Sequence, residues 1–236
     1  MIFSIFIPMR SGSTRSPKKN TRPFLETGES LFQLKMQSIL KLCESDEVFE
    51  VIISSDDKDI FNQVEPYLSD KIKLDIRPKE LCLSSTKVQD LISYVPKITK
   101  GDHVLWLHVT SPFVEFETYY KAMESYKYSV IQSRKYDSLM SVNKLQQFIW
   151  SDNKKKIINV DRNINPWPNT QDLDPLYEIN HAFYISSRDN YISLNDRIGK
   201  NPCLYICEGL EKIDIDWEED FMIAELIAKS YTPPSS

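Results

Sequence analysis

The chain reads as an α/β fold with a mainly parallel sheet, and three observations predict it. Short apolar runs alternate with longer stretches that repeat apolar residues at helical spacing. The first run, 2–7 (IFSIFI), suits a buried strand. A loop of cations and hydroxyls follows that run directly, where ligands sit in such folds, beyond the carboxyl ends of the strands.

In chain order, strand 2–7 leads through the basic loop to helix 30–42, which precedes strand 50–54 (EVIIS). Helix 57–67 and strand 73–76 complete a second unit; helix 88–95 and the apolar strand 104–108 form a third. Helix 115–126 follows, with strands expected at 129–133, 181–185, 204–207 and 211–215 and a final helix at 218–229. The stretch 143–177 interrupts the rhythm with Lys154-Lys155-Lys156 and Pro166-Trp167-Pro168-Asn169, while Phe148, Trp150, Ile157, Ile158 and Val160 suit a hairpin. Irregular insertions of this length tend to be functional. The expected organisation is one domain over 1–231, with 143–177 as an inserted lid or dimerisation arm and 232–236 as a loose tail.

Composition narrows the function. The 236 residues include only five glycines, about 2 % where roughly 7 % is usual. None forms a GxGxxG turn or a GxxxxGK[ST] loop, so a nucleotide would be held by side chains or by one local glycine turn. A net charge of −5 argues against sequence-independent nucleic-acid binding. No run has the length of a membrane helix, and the start lacks a secretory leader. Cys43, Cys82, Cys203 and Cys207 therefore read as reduced core residues of a cytoplasmic protein.

Two segments carry chemistry. From Arg10 to Arg22 the loop holds Arg10, Arg15, Lys18, Lys19 and Arg22, with Ser11, Ser13, Ser16, Thr14, Thr21 and Gly12, and no acid. Backbone N–H groups, hydroxyls and fixed positive charge are what a polyphosphate requires. Near the other end stands Ile213-Asp214-Ile215-Asp216. Residues two apart share a face of a strand, so Asp214 and Asp216 can converge on one hard cation such as phosphate-bound Mg2+. The plainer reading is that Asp216 caps the helix that follows.

In sequence, these segments resemble the acylneuraminate cytidylyltransferases, the CMP-sugar synthetases. The family's I-P-A-R-x-x-S-K-x-x-P-x-K-N is matched by Ile7 to Asn20. Its S-T-D-D, R-P-x-E-L and T-S-P elements are Ser54 to Asp57, Arg77 to Leu81 and Thr110 to Pro112. Gln171 to Ile185 and Ile213 to Phe221 resemble its two late motifs. The resemblance implies a three-layer α/β sandwich with a Rossmann-like nucleotide-binding half and CTP-dependent transfer of CMP to an acceptor, with release of pyrophosphate. It implies triphosphate contacts from Arg10 and Lys19, supported by Ser11, Gly12 and Ser13, with Arg15 and Lys18 added on charge alone. Asn20 and Arg77 would lie near the cytidine, Asp214 and Asp216 would bind Mg2+, and Gln171, Tyr177 and Asn180 would meet the acceptor. Arg10, Lys19 and Asp216 are the expected catalytic residues, and the partner expected besides CTP and a small acceptor is a second copy of the chain.

Departures fall on the acceptor side. The signature lysine is Thr14, L-Q-P-T-S-P-L-R becomes Leu107 to Val114, an expected arginine is Thr170, and the glycine of N-G-A is His181. The acceptor is then an ulosonic acid or a nonstandard one such as the phosphorylated glutamine of capsular phosphoramidate pathways. His108 is expected at a strand end facing the cleft, as a nucleotide or acceptor contact, as a base, or as a buried structural histidine. Trp150 and Trp167 would line an acceptor pocket or pack the arm. Two other classes remain at this level: a metal-dependent glycosyltransferase, which also uses Asp-x-Asp, and a nucleotide-binding module without catalysis.

Overall fold

The apolar run 2–7 becomes an inner strand of a seven-stranded sheet, third from one edge. The computed structural model describes residues 1–11 and 15–230, so Gly12, Ser13, Thr14 and the expected tail lie outside the described residues. The sheet contains β1 (Phe3–Pro8), β2 (Val48–Ser55), β3 (Ile72–Ile76), β4 (His103–Leu107), β5 (Ser138–Leu145), β8 (Leu176–Ser187) and β9 (Pro202–Cys207). The two-residue strands β6 (Trp150–Ser151) and β7 (Lys156–Ile157) pair separately as a hairpin. Sheet order is β3-β2-β1-β4-β8-β5-β9, parallel except that β8 runs antiparallel between β4 and β5.

Period-two alternation divides the core into two layers. Ile5 and Ile7 of β1 pack towards α1 (Leu31–Cys43), α2 (Lys58–Val64) and α4 (Phe116–Tyr126). Phe6, Trp106 and Tyr184 pack on the other face with α3 (Val88–Ile98) and Tyr191 of α5 (Arg188–Ser193). Helices on both sides make the three-layer α/β sandwich that was expected. The α1 start is set by a capping box: the Ser30 hydroxyl accepts from the Gln33 N–H, and the Gln33 side chain accepts from the Ser30 N–H. The last helix, α6 (Glu218–Ser230), has three acids in its first turn and Lys229 in its last, as the helix dipole favours.

Two expected strands are helical or extended instead. Segment 129–133 lies in a π-helical continuation of α4 (Lys127–Gln132), where the Ser129 hydroxyl donates back to the Ser125 carbonyl at 2.6 Å. Segment 211–215 opens as a 3-10 turn (Gly209–Lys212), because Gly209 turns the chain at φ +54° directly after β9. Strand β5, absent from the sequence reading, is buried on both faces and carries polar residues inward. Ser141 Oγ donates to the Phe183 carbonyl at 3.0 Å and accepts from the Phe183 N–H at 2.9 Å. Asn143 accepts from Asn180 at 2.9 Å. Such internally satisfied polar groups erase the apolar pattern that announces a strand. The short α5 was also absent from that reading.

Candidate active site

The carboxyl ends of β1 and β4 open into a cavity of about 410 Å³. The basic loop contributes Arg10, Arg15, Lys19 and Asn20 to its wall, and Asp214 and Asp216 line the same space. Segments some 200 residues apart in the chain thus meet. Asp214 and Asp216 are not on a sheet strand; they lie in an extended segment anchored by the Ile215 N–H, which donates to the Thr110 carbonyl at 2.9 Å. Ile215 is buried against Phe24, Leu31 and Phe221, and alternation turns both aspartates to the cavity.

Charges interlock across this junction. Arg15 donates to Asp216 Oδ1 at 3.1 Å and stacks over Trp217. Lys19 Nζ lies 3.8 Å from the same oxygen and donates to the Ile215 carbonyl. Burial lowers the Lys19 pKa, against the opposing pull of Asp216 and Asp214. Burial raises that of Asp214, with the neighbouring Asp216 adding to the rise and a hydrogen bond from Thr110 opposing it. Asp216 does not cap α6: its own N–H and that of Trp217 donate to the Asp220 carboxylate at 3.0 and 2.7 Å.

These residues fit a Mg2+ ion. Among the described residues no group of three or more His, Cys, Asp and Glu gathers as a cage, but Mg2+ is commonly held by one or two carboxylates together with substrate phosphates. Two hard oxygen donors facing one cavity meet that requirement.

Not every cation of the loop points inward. Lys18, at φ +52°, pairs with Asp59 at 2.7 Å. Arg22 donates from Nη2 to both carboxylate oxygens of Glu218, at 2.8 and 2.9 Å, and covers the Phe221 ring at 3.7 Å, clamping the loop to α6. The charge-based expectation for Lys18 is therefore corrected: a nearby acid on α2 takes it away from the cavity. Ser11 spends its N–H and hydroxyl on Asp56, at 2.9 and 2.8 Å. Arg77 lines the cavity while donating to the Ser54 carbonyl and hydroxyl at 2.5 and 3.0 Å. The Asn20 amide oxygen is buried with no partner among the described residues.

A second cavity of about 420 Å³ adjoins the first and shares His181, Asp214 and Asp216 with it. Asn180 lines this second space beside Asn143 and Glu178. Gln171 and Tyr177 line neither cavity; Gln171 sits on an exposed 3-10 turn (Thr170–Asp172) and Tyr177 on the exposed start of β8.

Two of the three histidines, His108 and His181, line the cavity. The indole N–H of Trp106, which can only donate, points at His108 Nε2 at 2.9 Å. His108 is thus neutral with its proton on Nδ1, and burial holds its pKa well below the usual value. It lines the cavity as a hydrogen-bond donor, and its acceptor nitrogen is already used. His181 adopts φ +59°, the left-handed region that favours glycine, at a bulge where β5 advances from Met140 to Val142 while β8 advances from Tyr184 to Ile179. A glycine motif and a strained histidine therefore meet at one backbone position.

Thr110, quoted from sequence only as part of the T-S-P element, anchors the acidic segment through its carbonyl, and two further contributors, Lys35 and Arg197, were not singled out from sequence. Lys35 on α1 is 1 % exposed, and its ammonium donates to the carbonyls of Ser111 and Val114 at 2.9 and 2.5 Å, tying down the turn that carries Thr110. Arg197, on the connection from α5 to β9, reaches the cavity with no surrounding motif to announce it.

A family model described as cytidylyltransferase matches residues 4–207. The chain is 24 % identical to a pseudaminic acid cytidylyltransferase of Campylobacter jejuni over 231 residues, 94 % of each chain. It is 28 % identical to a CMP-N,N'-diacetyllegionaminic acid synthase of Legionella pneumophila over 233 residues, 93 % of each. Among solved structures, it is similar to 4-diphosphocytidyl-2C-methyl-D-erythritol synthase from Anaerococcus prevotii (TM-score 0.65, 15 % identity, 95 % of each chain). It is also similar to a CMP:2-keto-3-deoxy-manno-octonic acid synthetase complexed with CTP (TM-score 0.63, 15 % identity, 96 % of this chain and 98 % of the other).

Proposed function

The chain belongs to the cytidylyltransferase family, and from that premise we propose that it transfers CMP from CTP to an acidic or phosphorylated acceptor for capsule or surface-polysaccharide biosynthesis. The acceptor oxygen attacks the α-phosphorus, a new O–P bond forms, and the bond to the β-phosphate breaks to release pyrophosphate. Such chemistry depends on in-line positioning and neutralised charge. Arg10, Arg15 and Lys19 hold the β- and γ-phosphates and favour pyrophosphate as leaving group. Arg15 and Lys19 rest on Asp216 in the free protein, so the triphosphate takes over cations that are already aimed into the cavity. Asn20 and Arg77 sit on the cytidine side. Asp214 and Asp216 hold Mg2+, which when bound neutralises charge developing at the α-phosphate. The observation that carries this reading is the convergence of the basic loop and the Asp214–Asp216 segment on one cavity. It also disfavours a glycosyltransferase, for which an early arginine-rich loop is not expected.

The two relatives described above are named for pseudaminic acid and for N,N'-diacetyllegionaminic acid. An ulosonic acid is accordingly the first acceptor class, and a phosphorylated amino acid such as phosphoglutamine the second. Asn180 borders the acceptor space; Gln171 and Tyr177 would reach it only from elsewhere, as from the arm of a second copy. The arm 143–177 carries Trp150, Ile164 and Trp167 exposed, which supports a homodimer built through it. No helix among the described residues is long and apolar enough to cross a membrane.

Calorimetric titration with CTP, UTP, ATP and GTP tests the nucleotide assignment. CTP is expected to bind preferentially, and Arg10→Ala to weaken it by about tenfold, the loss of one charge-assisted phosphate contact. Equal binding of all four nucleotides, or an unchanged CTP affinity in Arg10→Ala, would overturn it. Sedimentation of wild type against Trp150→Ser/Trp167→Ser tests the arm: a monomeric wild type removes the dimer.

A further inference from the structure

Arg197 stands where the proposed reaction has an unassigned need. Its guanidinium lies 4.0 Å from the Tyr184 ring centre and 4.8 Å from that of Trp106, over these two cross-strand neighbours of β8 and β4. Among the described residues no carboxylate lies within ion-pairing distance of it. A planar cation stacked on aromatic faces keeps its N–H edge free for bidentate recognition of a carboxylate or phosphate.

The scaffold fixes it there. Asn195 is held to α3 by Ser93, whose hydroxyl donates to its side-chain oxygen at 2.6 Å. On the other side Asp137 accepts from the N–H groups of Lys200 and Asn201 at 2.7 and 3.0 Å. Gly199 makes that approach possible: a Cβ there would lie 2.1 Å from the Asp137 carboxylate. One of five glycines in the chain is thus used two residues from Arg197.

His181 completes the arrangement. Its Nδ1 faces the Tyr184 hydroxyl at 2.6 Å and the Arg197 Nη2 at 3.5 Å. Arginine can only donate, so Nδ1 accepts and the ring proton sits on Nε2, making His181 a second donor. His181 borders both cavities, together with Asp214 and Asp216. An acceptor attacking beside those aspartates must occupy that junction. Arg197 lines the first cavity, as do Arg10, Arg15, Lys19 and Arg77, but it alone of these reaches His181 at the junction.

We propose that Arg197, stacked on Trp106 and Tyr184 beside His181, is a specificity-determining residue that grips the acidic group of the acceptor, carboxylate or phosphate, through its guanidinium fork. This rests on the nucleotidyl-transfer reading above and deepens it.

Protein carrying ¹⁵N-labelled tryptophan offers a direct test, because Trp106 is one of four tryptophans and its indole N–H sits under Arg197. The Trp106 resonance is assigned with Trp106→Phe. The protein is first saturated with CTP, which fills the triphosphate site, and then titrated separately with pyruvate and with methyl phosphate. The expected result is a saturable shift of the Trp106 signal by at least one of the two anions, with apparent affinity falling about tenfold or more in Arg197→Gln and partly restored in Arg197→Lys. The arm that responds tells a carboxylate acceptor from a phosphate one, and the Trp106 signal, from a buried indole bonded to His108, reports that the variants are folded. No saturable shift in wild type, or the same affinity in Arg197→Gln, would overturn the assignment of Arg197 alone. Failure of CTP itself to bind would overturn the nucleotide reading and this inference with it.

Discussion

Lys35→Met should remove the pH dependence of stability that the buried lysine imposes. Burial lowers the Lys35 pKa from 10.5 to about 7. Between these values the unfolded chain binds the proton and the folded protein does not, so stability from this group rises with pH and is lost as pH falls through 7. The full slope is about 1.4 kcal/mol per pH unit, which gives roughly 3 kcal/mol between pH 7 and 9.5 as an order of magnitude. At the alkaline end the neutral amine still serves the Ser111 and Val114 carbonyls, and methionine would leave both orphaned at about 1–3 kcal/mol each. At pH 6 the ionic penalty of the wild-type lysine offsets that loss. Urea unfolding of both proteins from pH 6 to 9.5 is the assay, with the difference curve cancelling groups common to both. The variant should be near parity at pH 6 and clearly weaker at pH 9.5. Parallel curves would refute the burial argument.

Asp216→Ala should lose metal-dependent turnover by about 100-fold or more, the order seen when a charge-stabilising group is removed; wild-type rates in a steady-state assay would reject its role. Arg22→Ala should lower the thermal midpoint, because it removes the ion pair with Glu218 and the cover over Phe221. Calorimetry should find CTP affinity retained, and a large loss would mean that Arg22 reaches the nucleotide. His108→Gln should leave the pH–rate profile between pH 6 and 8 unchanged, since His108 is neutral there and its Nε2 is occupied by Trp106; disappearance of a pH limb would restore it as a base.

Sequence reading reached the fold wherever burial was apolar. Strands β1, β2, β3, β4 and β9 and helices α1, α2, α3, α4 and α6 announce themselves through periodicity, because their inward residues are hydrophobic. Strand β5 does not, since Ser141 and Asn143 are satisfied inside the sheet, and the run 129–133 is apolar enough to imitate a strand while continuing α4. The site was legible where residues act from contiguous motifs: Arg10, Lys19, Asn20, Asp214 and Asp216 all line one cavity. It was not legible where function comes from a lone side chain brought in by topology. Arg197 has no motif around it, although Gly199 in a glycine-poor chain was a usable signal. The scarcity of glycine excludes glycine-rich phosphate loops only, and the cavity is walled by side chains instead.

The central claim is tested most directly by pyrophosphate release with CTP and Mg2+ against a panel of acceptors: pseudaminic acid, N,N'-diacetyllegionaminic acid, 2-keto-3-deoxy-manno-octonic acid and phosphoglutamine. The account predicts metal-dependent pyrophosphate release with at least one acidic acceptor and a CMP- or CDP-linked product, lost in Asp216→Ala. No turnover with any acceptor, joined to no CTP binding, would contradict it.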